Sequence, residues 1–427
     1  GPGLDDCCDE LRRMSPECYP IDIPKDDPFF ADFNVSCLTF TRSSPCFRCR
    51  LGRREQMDSR TAYIDASEIY GITKEDTDNL RTFQNGKFIL CCLLKSQEVN
   101  NIMLPPPSSN PDSDQCSYSD ENKICFETGD PRANQHPALT SLQIIWFLQH
   151  NRIAKGLQDV NPHWEDERIF QVAKRIVESQ MQHVVYKEWL PQIIGFNTSD
   201  AYGLTPLSSG FTAYNGTLDA SMVNEFAAAA FRLGHTLVNN TFLLTGSNSS
   251  EGRFDIKDKY FDPFGFYDGD LPAVLGGLIE EPFQTYDRYG THGVTRYLFN
   301  PRDGCYGQDL FAIDIQRGRD HGVRGYADYV HYCSGLELSC FDDLYNYNLM
   351  PKETADIYAD LYDDVRDIDL FSGGISEYAV PGTAIGPTFS CIVAEMFHKL
   401  KFGDRFYYEH GGQAGSFTQG KLSPSTL

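Results

Sequence analysis

Apolar residues recur at helical spacing over most of the chain beyond residue 137. Residues 137–154 carry Leu139, Leu142, Ile145, Trp146 and Ile153 in that period, with Pro137 suited to a first helical turn. Residues 165–190 form a second long amphipathic stretch, predicted to stop at Pro191. A third stretch, 221–238, holds four consecutive alanines among spaced apolar residues and predicts one buried helix. Shorter helices are predicted after residue 318, near 352–364 and at 384–401. Strand-type alternation is scarce and no internal repeat is visible, so the predicted fold class is mainly α. Residues 1 to about 60 are rich in Cys, Pro and Asp and lack a helical period. They predict an irregular wrap pinned by disulfides. The Pro-rich stretch at 104–112 predicts an exposed loop open to proteolytic nicking.

Composition narrows the class. A chain of 427 residues with 41% hydrophobic and 13% aromatic content is globular, and length alone predicts two or three domains. A net charge of −23 argues against nucleic acid or anionic membrane as a partner. No apolar run reaches the roughly 18 residues that a membrane-crossing helix needs. Fourteen cysteines, without zinc spacing, predict disulfides and an oxidising compartment. Asn-x-Ser/Thr sequons at Asn34, Asn197, Asn215, Asn239 and Asn248 agree with secretion, Asn239 being the least suited to glycan because it follows His235 on the same predicted helix. The opening Gly-Pro-Gly-Leu-Asp-Asp-Cys-Cys has no signal-peptide pattern and reads as an internal start.

The candidate chemistry begins with Arg232 and His235, three apart on the alanine-rich helix and therefore on one face. A neutral imidazole there can ligate a metal, and the guanidinium can hold a carboxylate. Haem needs both, as an axial ligand and as a partner for its propionates. The bland alternative is a satisfied core histidine. A second cluster, Asp314-Ile-Gln-Arg-Gly-Arg-Asp-His-Gly322, follows the apolar run 310–313. Charges in such a context are expected to be paired or bound. For Asp314 the plain structural alternative is an ion pair with Arg317 or Arg319.

Together with Phe231-Arg-Leu-Gly-His-Thr-Leu237, this cluster resembles the animal haem peroxidases. Further matches follow in family order along nearly the whole chain. Arg53-Arg-Glu-Gln-Met-Asp-Ser-Arg-Thr-Ala-Tyr-Ile-Asp-Ala-Ser-Glu-Ile-Tyr-Gly71 is similar to the family's calcium loop. Gly129-Asp-Pro-Arg-Ala-Asn-Gln-His-Pro137, with Gln149-His-Asn-Arg-Ile-Ala154, is similar to its distal arginine segment. Gly373-Gly-Ile-Ser-Glu377 and Gly403-Asp-Arg-Phe406 are similar to its C-terminal helices. The resemblance implies one large helical haem domain over 1–427, with haem b and calcium as cofactors. It also implies the pairs Cys7–Cys18, Cys8–Cys37, Cys116–Cys125 and Cys333–Cys391, and leaves Cys46, Cys49, Cys91, Cys92, Cys305 and Cys340 unassigned.

By that resemblance His235 is the proximal iron ligand and Asp314 the acceptor of its other N–H. Some relatives carry asparagine there. A carboxylate gives the imidazole more imidazolate character and favours ferric over ferrous iron. Arg132 is the distal arginine, a permanent cation placed to stabilise the leaving oxide of peroxide. On its own it is a loop arginine with an ordinary surface role open to it. Arg232 and Arg317 are implied as propionate partners, and Thr61, Tyr63, Asp65 and Ser67 as calcium ligands.

The chain departs from the family in three ways. It contains no Gly-Gln-x-x-Asp-His-Asp segment, which supplies the distal histidine, the distal glutamine, one calcium carboxylate and one haem ester. It therefore resembles a heavy chain. It implies a companion N-terminal light chain carrying the distal Gln, Asp and His and a calcium-ligating Asp. The glutamate that esterifies a haem methyl falls on Gln135, and an amide cannot form that ester. The methionine that forms a sulfonium link in one relative falls on His136, which counts against chloride oxidation. The implied function is a secreted peroxidase that reduces hydrogen peroxide through ferryl haem, with phenols, tyrosyl groups, iodide, bromide or thiocyanate as donors. A matrix or adhesion protein with little turnover, and a fatty-acid dioxygenase, are the alternatives.

Overall fold

The computed structural model describes residues 6–82, 93–99, 102–111, 116, 123–246, 252–301 and 304–418. Cys91, Cys92 and the Asn248 sequon lie outside them.

Helices dominate. In chain order they are α1 (Ser67–Tyr70), α2 (Lys74–Leu80), α3 (Pro137–Val160), α4 (Asp166–His183), α5 (Leu190–Ile194), α6 (Phe196–Ala201) and α7 (Asn224–Ala228). There follow α8 (Leu271–Glu280), α9 (His292–Thr295), α10 (Leu310–Asp320), α11 (Tyr326–Ser334), α12 (Asp342–Asn346), α13 (Lys352–Leu361), α14 (Leu370–Ile375) and α15 (Pro387–Phe402). The strand pairs among the described residues are short antiparallel ladders: β1 (Ile21–Asp22) with β2 (Cys37–Leu38), β3 (Gln97–Val99) with β4 (Ile102–Leu104), and β5 (Thr241–Leu243) with β6 (Arg253–Asp255).

The largest apolar core gathers around α15, which buries Phe389, Ile392, Val393, Met396 and Phe397 and leaves Glu395, His398 and Lys399 on a half-buried face. An apolar stripe that wide has to be covered by other helices. It packs among α5, α7, α11 and α14. Gly373 and Gly374 permit that approach: a Cβ on them would lie 2.3 Å from Tyr326 Cγ and 2.0 Å from Phe389 Cε1. The Cys333–Cys391 disulfide ties α11 to α15 across 58 residues. A loop of that length restricts the unfolded chain by about 4 kcal/mol. A second core joins α1, α3 and α4 through Tyr70, Phe147, Phe170 and Val177.

Three expectations need correction. In α3 the buried face carries Thr140, Ser141, Ile144, Phe147, His150 and Ala154, while Leu139, Leu142 and Ile145 are exposed. Polar residues can occupy the inner face because their hydrogen bonds are made: Thr140 Oγ1 donates to Ala133 O at 2.7 Å, and His150 Nδ1 meets Tyr70 Oη at 2.8 Å. Pro191 does not stop α4. The chain passes through a π turn, Val184–Trp189, in which Leu190 N–H donates to Val185 O, and continues as α5 to Gly195. The wider turn accommodates a proline that lacks an N–H and would clash with the carbonyl behind it in a regular helix. The third expectation, one helix over 221–238, is broken at Ala229 (φ −139°, ψ −74°) into α7 and a 3₁₀ segment, Ala230–His235.

The N-terminal wrap is irregular and disulfide-pinned. Cys7–Cys18, Cys8–Cys37, Cys116–Cys125 and Cys333–Cys391 are all paired, while Cys46, Cys49, Cys305 and Cys340 are free and exposed. Asn34, Asn197 and Asn215 are exposed; Asn239 lies beyond the 3₁₀ segment, half-buried, donating to Pro282 O at 3.1 Å.

One buried carboxyl group links three helical elements. Glu377, just past α14, accepts from Tyr326 Oη on α11 at 2.8 Å, and from Thr388 N and Oγ1 on α15 at 2.9 and 2.5 Å. Burial pushes its pKa up to about 7 despite those bonds. A raised pKa means that the folded state favours the protonated form. The resulting stabilisation is full below the ordinary glutamate value near 4.5 and is lost as pH rises through about 7. Glu377→Gln imitates the neutral acid. It is expected to match the wild type at pH 5 and to exceed it at pH 8, by at most about 3 kcal/mol. Urea unfolding at both pH values checks this, and identical pH slopes in the two proteins would refute it.

Candidate functional site

The 3₁₀ segment places Arg232 and His235 on one side, because positions three apart eclipse in that geometry. The shared face survives the break in the helix. Facing it is α10, whose start is fixed by Asp309. That carboxylate accepts from Phe311 N at 2.9 Å and Ala312 N at 3.1 Å, and burial raises its pKa to about 6. The cap sets the phase that brings Asp314 inward, where its side chain is fully buried.

Asp314 bridges both residues of the 3₁₀ segment. Oδ2 lies 2.5 Å from His235 Nδ1, and Oδ1 lies 2.5 Å from Arg232 Nη1. Among the described residues it has no ion pair with Arg317 or Arg319, which pair with Asp320 and Asp369 instead. A carboxylate at Nδ1 accepts a proton there, so the lone pair of His235 sits on Nε2. Nε2 has no hydrogen-bond partner among the described residues, and the side chain is 30% exposed. One imidazole, oriented from behind by a buried carboxylate and open on its other nitrogen, is the donor set that an axial haem ligand requires.

The second half of the motif fastens the site to the N-terminal wrap. Asp320 accepts from Arg42 Nε at 2.7 Å, Ser43 N at 2.8 Å and Arg317 Nη1 at 3.1 Å. Arg317 stacks over Phe40 at 4.0 Å and also donates to Thr41 O and Ser43 Oγ, both at 3.1 Å. His321 joins Ser43 Oγ at 2.7 Å to Asn224 Oδ1 at 3.0 Å, and burial lowers its pKa to about 4. It is neutral at physiological pH and serves as a connector between α10, α7 and the wrap. No motif in the sequence marks Arg42, Ser43 or Asn224. Both candidate propionate arginines, Arg232 and Arg317, hold protein partners in this structure.

The segment before α3 is rigid. Asp130 caps the 3₁₀ turn Pro131–Asn134 through Arg132 N at 2.8 Å, and Asn134 is locked to Phe126 by a bond in each direction. The Arg132 guanidinium is gripped at both Nε and Nη2 by Asp130, at 2.9 and 2.7 Å, and its side chain is 64% exposed. Gln135 accepts Phe261 N–H on its carbonyl oxygen. The His136 ring lies 6.2 Å from Phe242 of β5. Its Nδ1 is enclosed without a partner, and burial lowers its pKa to about 4.

In the candidate calcium loop, Thr61 Oγ1 lies 2.8 Å from Asp65 Oδ2 and 3.2 Å from the Tyr63 carbonyl oxygen. Ser67 starts α1 and gives its N–H to Asp65 Oδ1 at 3.1 Å. Three hard oxygen groups converge there. Among the described residues no group of three or more His, Cys, Asp or Glu is placed to hold a metal, and Asp65 is the one carboxylate among the four candidate ligands.

Comparison with known proteins agrees with this arrangement. The family profile described as animal haem peroxidase matches residues 2–424. Chorion peroxidase of Drosophila melanogaster is 37% identical over 432 residues, covering 96% of this chain and 51% of that protein. The chain thus spans about half the length of that relative. Among solved structures, peroxidase A of Dictyostelium discoideum is 27% identical with a TM-score of 0.78, over 93% of this chain and 76% of that one. A fatty acid α-dioxygenase of Oryza sativa, 19% identical with a TM-score of 0.68 over 92% and 66%, shares the fold. The chain belongs to the animal haem peroxidase family.

Asp314→Asn keeps an acceptor for the His235 N–H and removes the charge. It is expected to raise the reduction potential of bound iron and to lower haem affinity or peroxidase rate by about 10–100-fold. Spectroelectrochemical titration of the haem-loaded variant measures the first effect. An unchanged potential would show that the carboxylate does not tune His235.

Proposed function

We propose that the chain is the haem-bearing part of an extracellular peroxidase that reduces hydrogen peroxide and oxidises phenols, tyrosyl groups or easily oxidised anions such as iodide, bromide and thiocyanate. The observation that carries it is the Asp314 carboxylate joined to both His235 and Arg232. Family membership, the disulfides and the absence of any membrane-crossing helix among the described residues support it.

Haem b, when bound, supplies the redox iron. His235 would hold it through Nε2, and Arg232 and Arg317 would be the cations available to its propionates. Asp314 fixes the tautomer and orientation of the ligand ring. Arg132 supplies a cation that survives every pH and stabilises negative charge left on a departing oxygen. Asp130 partly neutralises it in this structure, so a substrate anion has to compete for that guanidinium. Moving a proton between the peroxide oxygens needs a base. None of the residues named above does that. Gln135 is an amide and cannot form the haem ester that the family resemblance places at that position. Calcium at Thr61, Tyr63, Asp65 and Ser67 would order the loop leading into α1.

His235→Ala is expected to abolish the Soret band while leaving the far-ultraviolet circular dichroism of the fold intact. Full haem retention with full turnover in that variant would overturn the ligand assignment. Soret absorbance that survives acid–acetone extraction of the native protein reports a covalent link.

Calcium is expected to stabilise the folded chain through mass action. Prolonged chelation should lower Tm, and elemental analysis should find the ion. No calcium by elemental analysis together with an unchanged Tm would remove the site.

A further inference from the structure

A continuous series of aromatic rings leaves the 3₁₀ segment that carries His235 and ends at a hydrogen-bonded tyrosine–histidine pair. Phe231, one turn before His235, has Trp189 at 5.9 Å and Phe397 at 5.8 Å between ring centroids. Phe397 lies 5.8 Å from Tyr186, Tyr186 lies 5.2 Å from Tyr407, and Tyr407 lies 4.9 Å from Tyr408. At the far end Tyr408 Oη is 2.9 Å from His183 Nδ1. Tyr186, Tyr407 and Tyr408 are buried, and His183 is half-buried at the end of α4.

Electrostatics distinguish Tyr408 from the other two tyrosines. The buried Lys401 ammonium lies 5.1 Å from the Tyr407 ring and 5.7 Å from that of Tyr186, so loss of an electron from either ring is opposed by a nearby cation. Tyr186 Oη donates to the Phe397 carbonyl oxygen, which cannot take its proton. Tyr407 Oη reaches Glu409 at 3.3 Å, but that carboxylate already serves Lys401 at 3.5 Å and Leu207 N at 2.7 Å. Tyr408 Oη lies 2.9 Å from His183 Nδ1 and reaches Glu409 Oε1 only at 3.4 Å, so the imidazole is its nearer partner, and burial lowers the pKa of that imidazole, which favours the neutral form able to take a proton. A second tyrosine–histidine pair, Tyr70 with His150, is fully buried and makes its ring contacts with Phe170, apart from the series that starts at Phe231.

Resting on the peroxidase function proposed above, we infer that Tyr408, with His183 as its proton acceptor, is a radical site that carries one oxidising equivalent of hydrogen peroxide from the His235 side to donors too large to enter the haem pocket. Hydrogen peroxide takes up two electrons and two solvent protons to become two waters. One of those electrons comes from Tyr408, whose O–H bond breaks as its proton passes to His183 Nδ1, leaving a neutral phenoxyl radical beside an imidazolium; the other comes from a second phenolic donor, so two donors are oxidised for each peroxide. A phenolic donor at the surface then gives one electron. The proton returns from His183 to Tyr408, the donor releases its own proton to water, and the donor departs as a phenoxyl radical. The chemical class of donor is a tyrosyl group on a macromolecule.

The test is high-field electron paramagnetic resonance of the native haem-loaded protein, labelled with ring-deuterated tyrosine and frozen after mixing with hydrogen peroxide. The expected signal is a tyrosyl radical narrowed by deuteration, absent in Tyr408→Phe and shifted in g-value in His183→Phe as the hydrogen bond is lost. The Soret band of each variant reports that the haem site is intact. A signal that persists in Tyr408→Phe, disappears instead in Tyr70→Phe, or is missing while peroxide is consumed overturns the radical site alone. If Tyr408→Phe fails to take up haem, the g-value shift in His183→Phe decides between the same outcomes. A wild-type protein that neither binds haem nor consumes peroxide sinks the peroxidase function and this inference with it.

Discussion

The site depends on one buried carboxylate. Asp314 is fully buried and serves two partners from a different element, His235 and Arg232. A buried ion is stable only when its partners are held in place, because removal of one leaves an uncompensated charge that costs several kcal/mol. The pairing therefore works in both directions. It orients the imidazole, and it obliges the 3₁₀ segment to stay docked against α10. That obligation accounts for a broken helix at Ala229: six residues in tighter winding, Ala230–His235, bring both polar side chains to the same carboxylate.

A second carboxylate, Asp320, anchors the far end of α10 to the N-terminal wrap. Through Arg42, Ser43 and Arg317 it binds a segment that has little secondary structure of its own. The disulfides close that segment, and Asp320 attaches it. His321 extends the attachment to α7 through Asn224. Along α10, Asp314 thus fixes the ring of His235, and Asp320 at the helix end fixes the wrap.

Much of this was legible in the sequence where physics writes a period or a motif. Helices Pro137–Val160 and Pro387–Phe402 form where apolar spacing predicted them at 137–154 and 384–401, the first with its leading proline. The Asp314–His235 contact and all four described disulfides followed from the family resemblance. What escaped notice has a common cause, which is that side-chain hydrogen bonding is silent in a hydropathy pattern. The inner face of α3 is polar in type, and Thr140 and His150 are buried because their partners are present. Apolar spacing therefore chose Leu139, Leu142 and Ile145, which face outward. Proline at 191 signals a helix end only in a regular helix, and the π turn before it changes the rule. The roles of Arg42, Ser43 and Asn224 depend on contacts between residues far apart in the chain, which no local pattern encodes.

That π turn has a consequence for how the chain can vary. Val184–Trp189 carries one residue more than an α-helix would fit in the same rise, and the surplus sets the rotation of everything beyond it. Deleting any single residue there would restore regular winding, return Pro191 to a position where its ring meets a carbonyl, and swing α5 off the core that α15 builds. Substitutions along this stretch change one contact each. A change in its length would re-index a whole helix, so residue number, more than residue type, is the quantity that this stretch has to keep.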